Sequence, residues 1–79
     1  MYRTTFASAD AVRRIKMNFP AGTRVVLGHM NDPYVVMPAG TRGTVETVDD
    51  TGTIHVRWDN GHSLGVVYGE DACYKEVEA

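Results

Sequence analysis

The stretch TIHVRWDNG, residues 53–61, decides how this chain folds. Apolar and polar residues alternate along its first six positions, and a period of two predicts a β-strand with one buried face. The predicted inward residues are Ile54, Val56 and Trp58. The Asn60-Gly61 pair that follows favours a hairpin turn of type I′, in which both residues adopt positive φ. The chain is therefore expected to return along residues 63–69, SLGVVYG, as the antiparallel partner strand.

Three further strands are predicted around this hairpin, at residues 23–30, 41–48 and 73–77. In the first, Val25 and Leu27 are expected to face inward, with a bulge at Gly28. Tyr68 is expected to share the inward face of the partner strand with Leu64 and Val66. The pentapeptide PAGTR occurs at residues 20–24 and again at 38–42, each time before a Val-rich run. We interpret it as one way of starting a strand, used twice, and not as a duplicated site.

The residues before Pro20 predict a short helix over Ser8–Met17, with Ser8 as its N-cap and Asp10 in its first turn. This divides the chain into an N-terminal segment, residues 1–19, and a β domain, residues 20–79. Five short strands with one long first connection favour a sheet that curls on itself. The predicted fold class is mainly β: a small five-stranded SH3-like barrel with a short N-terminal α-helix.

Composition excludes several classes of protein. The chain has 79 residues, a net charge of −2 and one cysteine, Cys73, so it forms no internal disulfide. No segment is long and apolar enough for a membrane span or has the pattern of a signal peptide, so a cytoplasmic protein is expected. Residues 20–79 carry four basic and nine acidic side chains, which argues against broad binding to phosphate backbones.

Catalytic and metal-binding chemistry have little support in the sequence. The three histidines, His29, His55 and His62, have none of the spacings of known metal motifs. The paired acids at 49–50 and 70–71 fall in predicted turns, where carboxylates accept local backbone hydrogen bonds. We therefore predict no catalytic residue, no metal ligand and no cofactor.

The chain resembles a known family through three segments: MNDPY at residues 30–34, PAGTRGTV at 38–45 and GTIHVRWDNG at 52–61. Together they are similar to small bacterial and phage domains grouped as the domain of unknown function 4314. The resemblance covers about Phe19 to Val77. It implies a compact SH3-like barrel in a protein carried by bacteria or their mobile elements. It implies no activity, so no functional residue is transferred from it.

A shallow groove between the long first loop and the middle hairpin is the predicted protein-binding site. Its mixture of aromatic, Met and Arg side chains is typical of protein contacts. The predicted groove residues are Met30, Asp32, Tyr34, Met37, His55, Arg57, Asp59 and Tyr68. For Tyr34 an alternative stands beside this one, in which its ring covers one end of the core.

Three functions follow from these observations, in decreasing order of support. The first is a non-enzymatic interaction module from a phage or mobile element that binds and modulates a host protein, such as a nucleic-acid-processing or defence factor. The second is a nucleic-acid-binding barrel with a basic stripe formed by Arg13, Arg14, Lys16, Arg24, Arg42 and Arg57. The third is a metal protein or an enzyme. A homodimer through free strand edges is compatible with all three.

Overall fold

The computed structural model describes residues 7–32 and 34–77. These ranges contain one helix and five strands: α1 (Ala9–Asn18), β1 (Arg24–His29), β2 (Arg42–Val48), β3 (Ile54–Trp58), β4 (Ser63–Val66) and β5 (Ala72–Lys75). The strands form one antiparallel sheet in the order β4-β3-β2-β1-β5. The predicted mainly β fold with five strands and a short helix is confirmed. The hydrogen-bonded ladder does not close, because β4 and β5 are its two outer strands.

One face of this sheet carries the core. The most deeply buried side chains are Val25, Leu27, Val45, Val56 and Trp58. They come from β1, β2 and β3, and those on β1 and β3 confirm the inward faces predicted for these two strands. The indole Nε1 of Trp58 donates a hydrogen bond to the carbonyl oxygen of Leu64 at 3.1 Å, so the polar atom of this buried ring has a partner.

The helix α1 follows the sequence signals closely. Ser8 is the N-cap, and its hydroxyl oxygen accepts a hydrogen bond from the amide of Ala11 at 3.1 Å. Ala11 and Val12 are buried, and Ile15 packs partly against the core, so the helix covers one end of the sheet. The helix ends before Pro20, which has no amide proton to continue it. Residues 1–6 of the predicted N-terminal segment lie outside the described residues.

The two PAGTR copies form the same turn. Thr23 and Thr41 each donate an amide hydrogen bond to the carbonyl oxygen of the proline three residues earlier, at 3.1 and 3.2 Å. Their hydroxyls donate to the same oxygens at 2.6 and 2.7 Å. Gly22 and Gly40, the third residues of these turns, have φ of 93° and 92°, which glycine adopts without steric cost. The interpretation of PAGTR as one way of starting a strand is confirmed.

The hairpin between β3 and β4 differs from the prediction. The amide of Gly61 donates to the carbonyl oxygen of Trp58 at 3.0 Å, and Gly61 has φ of 96°. Asn60 does not have positive φ, so the predicted type I′ turn is wrong. The geometry is that of a longer hairpin loop, in which a turn is followed by one left-handed glycine. Asn60 side-chain Oδ1 accepts from the amide of His62 at 3.1 Å, which stabilises this alternative.

Two further sequence predictions concern bulges and strand ends. The register between β1 and β5 shifts between Leu27 and His29, which confirms the bulge predicted at Gly28. The strand β4 ends at Val66, three residues before its predicted end, because the chain turns at Val67. Tyr68 lies in that turn with an exposed side chain, so it does not share the core face with Val66.

Candidate functional site

The long loop between β1 and β2 carries two apolar side chains that are almost fully in solvent. Tyr34 and Val36 are each 92% exposed. Val35, which lies between them, packs partly against the core, and Met37, which follows Val36, belongs to the core and is only 8% exposed. Inward and outward side chains therefore alternate from 34 to 37, as in an extended strand. We call Tyr34 and Val36 the loop tip; its exposure excludes the alternative in which Tyr34 covers the core.

Hydrogen bonds hold the start of this loop in place. Asp32 Oδ1 accepts from the amides of Tyr34 and Val35, at 2.7 and 3.2 Å. This is the local turn that an Asp side chain commonly forms with the amides after it. Pro33, within the same MNDPY motif, lies outside the described residues.

Asp71 connects the loop to the far end of the sheet. Its Oδ1 accepts from the amide of Asn31 at 2.7 Å, and its Oδ2 accepts from the amide of Val67 at 2.9 Å. One carboxylate therefore joins the loop after β1 to the turn between β4 and β5. At the other end of the loop, the Nδ2 of Asn60 donates to the sulfur of Met37 at 3.4 Å. The loop tip is thus presented on a segment anchored at both ends.

The eight residues predicted to form a groove do not lie on one surface. Met37 is a core residue and offers no contact surface to a partner, which corrects its assignment to the groove. Arg57 and His55 alternate with the buried Val56 on β3, so they lie on the opposite, outer face of the sheet. Met30 packs partly against the core. Tyr34 is the one predicted groove residue with a nearly fully exposed ring.

The outer face of the sheet is organised around Arg24. Its guanidinium donates two hydrogen bonds to the carboxylate of Asp59, at 2.9 and 2.6 Å, and one to the hydroxyl of Thr44 at 2.9 Å. It also lies 3.3 Å from Glu76. The hydrogen bonds from Arg24 lower the pKa of Asp59, and those to Asp59 raise the pKa of Arg24. Asp59 therefore contributes to an intramolecular ion pair.

The other basic residues of the predicted stripe are also mostly paired. Arg57 lies 2.9 Å from Glu46 and Arg42 lies 3.6 Å from Glu76, both on the outer face. On α1, the same holds for two side chains, with Arg13 at 3.0 Å from Asp10 and Lys16 at 2.7 Å from Asp50. Of the six stripe residues, Arg14 alone makes no ion pair within the described part of the chain. Paired arginines and lysines leave little net positive charge on this surface for phosphate groups.

His55 belongs to a hydrogen-bonded turn between β2 and β3. Its Nε2 donates to Asp49 Oδ2 at 2.8 Å. The other oxygen of Asp49 accepts from the hydroxyl and the amide of Thr51, at 2.6 and 2.9 Å, and from the amide of Thr53 at 3.1 Å. These hydrogen bonds, first from the Thr51 hydroxyl and then from His55, lower the pKa of Asp49 well below its ordinary value. His55 thus stabilises a turn.

The described residues form no metal cluster, and two of their surface depressions are small. Two of the surface depressions have volumes of about 250 Å³ each, and one of them lies between α1 and β2, beside Phe19 and Val48. Ligand pockets are typically larger, at roughly 300–1,000 Å³. No three His, Cys, Asp or Glu residues of these ranges lie together as metal ligands. Burial raises the pKa of the Cys73 thiol to about 11, which disfavours the reactive thiolate.

Comparison with known proteins identifies the family. A family model described as Domain of unknown function (DUF4314) matches residues 8–76. The chain belongs to this family. The match includes α1 as well as the whole sheet, so the family's domain begins earlier than the resemblance from Phe19 onward suggests. No curated protein matches the chain. Within residues 7–32 and 34–77, no helix is long and apolar enough to cross a membrane.

Two residues of this site, Val36 and Asp71, were not predicted from the sequence. The signal for Val36 is present in the run YVVM, residues 34–37, where every second apolar residue must face outward if the segment is extended. Asp71 carries no such signal. Its two partners, Asn31 and Val67, are distant in sequence from one another and only the folded sheet brings them together.

Proposed function

We propose that this protein is a non-enzymatic interaction module that binds a host protein through the loop tip, Tyr34 and Val36. In this proposal it is a regulator carried by a phage or another mobile element and acts in the cytoplasm, as the sequence led us to expect. The observation that carries the proposal is the 92% exposure of both side chains on a loop that is itself anchored. The family description names no activity, and the physical properties of this surface support the proposal.

Exposed apolar side chains on an ordered loop are suited to protein binding. Isolated apolar residues on a surface are common, but two large ones on successive outward positions form a continuous contact for a partner pocket. Burying a tyrosine and a valine in a partner pocket stabilises the complex by about 25 cal/mol for each Å² of apolar surface removed from water. Because Asp32, Asp71 and Met37 already hold the loop, little further ordering entropy is lost on binding.

Ion pairing on the outer face makes the nucleic-acid alternative weaker than the sequence suggested. Arg24, Arg42 and Arg57 would have to leave Asp59, Glu76 and Glu46 before they could bind phosphates. Such a module should show little affinity for oligonucleotides even at low salt, where electrostatic binding is strongest.

The test is affinity capture from a lysate of the natural host, with nuclease treatment, followed by mass spectrometry and binding measurements on the purified partner. We expect one stoichiometric protein that survives nuclease and moderate salt. The double variant Tyr34→Ser/Val36→Ser should bind that protein at least about 30-fold more weakly, the loss typical of hot-spot residues. The matched control is Tyr68→Ser/Val77→Ser, which removes the same two side chains from exposed positions elsewhere.

Two results would contradict the proposal. If the double variant at the loop tip and its control bind equally well, the partner contacts another surface. If recovery of the partner disappears after nuclease treatment, the protein is held through nucleic acid, and the second function moves ahead.

A further inference from the structure

We propose that two copies of this chain associate through β5, edge to edge, so that their sheets become one continuous antiparallel sheet. The proposal is independent of the loop tip, which plays no part in it. It rests on the directions of the backbone groups of β5, on the closure of the opposite edge at β4, and on the side chains that the pairing would bring together.

Hydrogen bonds to β1 fix which backbone groups of β5 are free. The amide of Glu76 donates to the carbonyl oxygen of Arg24 at 2.9 Å, so the backbone N–H and C=O groups of Glu76 point toward β1. Successive residues of a strand direct their backbone groups to opposite sides. The backbone groups of Tyr74, which lies opposite Val26, therefore also point toward β1. Cys73 and Lys75 direct their N–H and C=O groups away from the sheet. Among the residues that the structure describes, no strand pairs with this outer side of β5.

The other edge of the sheet, at β4, is closed after two outward residues. The amide of Trp58 donates to the carbonyl oxygen of His62 at 2.8 Å, which directs the groups of Ser63 and Gly65 outward. The next outward residue is Val67, whose amide donates to Asp71 Oδ2 at 2.9 Å. Its carbonyl oxygen accepts from the amides of residues 70 and 71. An incoming strand could thus reach two outward residues on β4, the same number as on β5, but on β4 the turn after Val66 prevents pairing beyond them.

Symmetry then selects the register. A two-fold axis at Tyr74 places Cys73 of one copy opposite Lys75 of the second copy, and each of these two pairs exchanges two backbone hydrogen bonds. The overlap covers Ala72–Glu76, all of the residues that β1 holds in the sheet. An axis at Lys75 would place two ammonium groups opposite each other, which is unfavourable. An axis at Cys73 would shorten the overlap.

The side chains at the proposed axis are apolar. Tyr74 is 63% exposed, and its ring lies beside Gly28 on the outer face of the sheet. Val26, directly opposite on β1, is only partly buried. In the proposed register the two Tyr74 residues form a pair without backbone hydrogen bonds, in which side chains approach most closely. Aromatic pairs at such positions stabilise antiparallel strands. The Lys75 ammonium lies 5.9 Å from the ring centre of Phe19, on the other face.

The first experiment measures mass by sedimentation equilibrium from about 10 µM to about 1 mM, where a small interface associates. We expect the average mass to rise from one chain to two. Lys75→Pro removes an outward amide and should weaken dimerisation at least about tenfold without disturbing the ladder to β1. Ser63→Pro, which removes an outward amide from β4, is the matched control and should dimerise like the wild type. A wild-type mass of one chain at 1 mM would overturn the proposal, as would equal effects of the two prolines.

The second experiment tests the register in the background Cys73→Ala. Tyr74→Cys places two thiols in a directly opposed pair with Cα atoms about 4.5 Å apart, which a disulfide spans. Lys75→Cys places the corresponding thiols two residues out of register, beyond the reach of a disulfide. Under mild oxidation we expect covalent dimers from the first variant and none from the second. Equal cross-linking of the two would overturn the register, and circular dichroism melting of both variants verifies that each is folded.

Discussion

Gly43, the second residue of β2, should be one of the least replaceable residues of the chain. An added Cβ would lie 2.6 Å from Val56 Cγ1, 2.8 Å from the carbonyl oxygen of Arg57 and 2.8 Å from Trp58 Cε3. Ordinary carbon contacts are about 3.5–4.0 Å. One of these three neighbours is backbone and another is the largest buried ring, so relief requires that β2 and β3 separate.

The expected cost of Gly43→Ala follows from these distances. Alanine in a strand is normally better than glycine by about 0.5–1 kcal/mol. Overpacking of a well-packed core costs about 1–3 kcal/mol, and contacts this short with backbone belong at the upper end. We therefore expect a net loss of about 2 kcal/mol. Domains of this size have total stabilities of roughly 4–12 kcal/mol, and the melting temperature should fall by about 8–16 °C.

The assay is urea unfolding followed by Trp58 fluorescence, with thermal melting as a second probe. Gly28→Ala is the control, because its added Cβ would also be 2.5 Å from a neighbour, Tyr74 Cε2. That ring is largely exposed and can rotate away, so this variant should stay within about 1 kcal/mol of the wild type. If Gly43→Ala loses less than about 0.5 kcal/mol, or no more than Gly28→Ala, the packing argument for β2 and β3 is refuted.

Two further predictions concern carboxylates. In Asp71→Asn, the amides of Asn31 and Val67 should exchange hydrogen at least about tenfold faster than in the wild type, and the free energy of unfolding should fall by about 1 kcal/mol. Exchange rates are measured by NMR. Unchanged rates would show that this carboxylate does not hold the loop. For Asp49, whose pKa is lowered in the folded state, the stabilisation is complete above its ordinary pKa near 4 and is lost as the pH falls below it. When the pH falls from about 5 to about 2, the free energy of unfolding of the wild type should therefore decrease by about 1 kcal/mol more than that of Asp49→Asn; this figure is reduced because Asp49 is exposed to solvent. The free energies are measured by urea unfolding at each pH. Equal decreases in the two proteins would contradict the role of the Thr51 and His55 hydrogen bonds.

The fold was largely predictable because its signals are local. Alternation along residues 53–58 determines which face of β3 is buried, and Ser8 marks the start of α1. The turn after β3 was not predictable from Asn60-Gly61, because the side chain of Asn60 binds the amide of His62 in place of a left-handed backbone. Local turn statistics do not include such a competitor.

The site was less predictable than the fold. Tyr34 was correctly placed in the long first loop, but its exposure depends on Met37, three residues later, turning into the core. The pairing of Arg24 with Asp59 was not visible either, since 35 residues separate them and the register of three strands brings them together. Side chains that appeared free to bind in the sequence are thus engaged within the molecule.

The long loop leaves the sheet and returns to it at nearly the same point. Leu27 of β1 and Thr41 before β2 are joined by a 2.8 Å hydrogen bond, and Gly40 donates to Leu27 at 2.7 Å. The entropy of closing such a loop changes slowly with its length. A segment closed in this way can therefore be replaced or resized at little cost to the stability of the sheet, provided that an apolar residue takes the place of Met37.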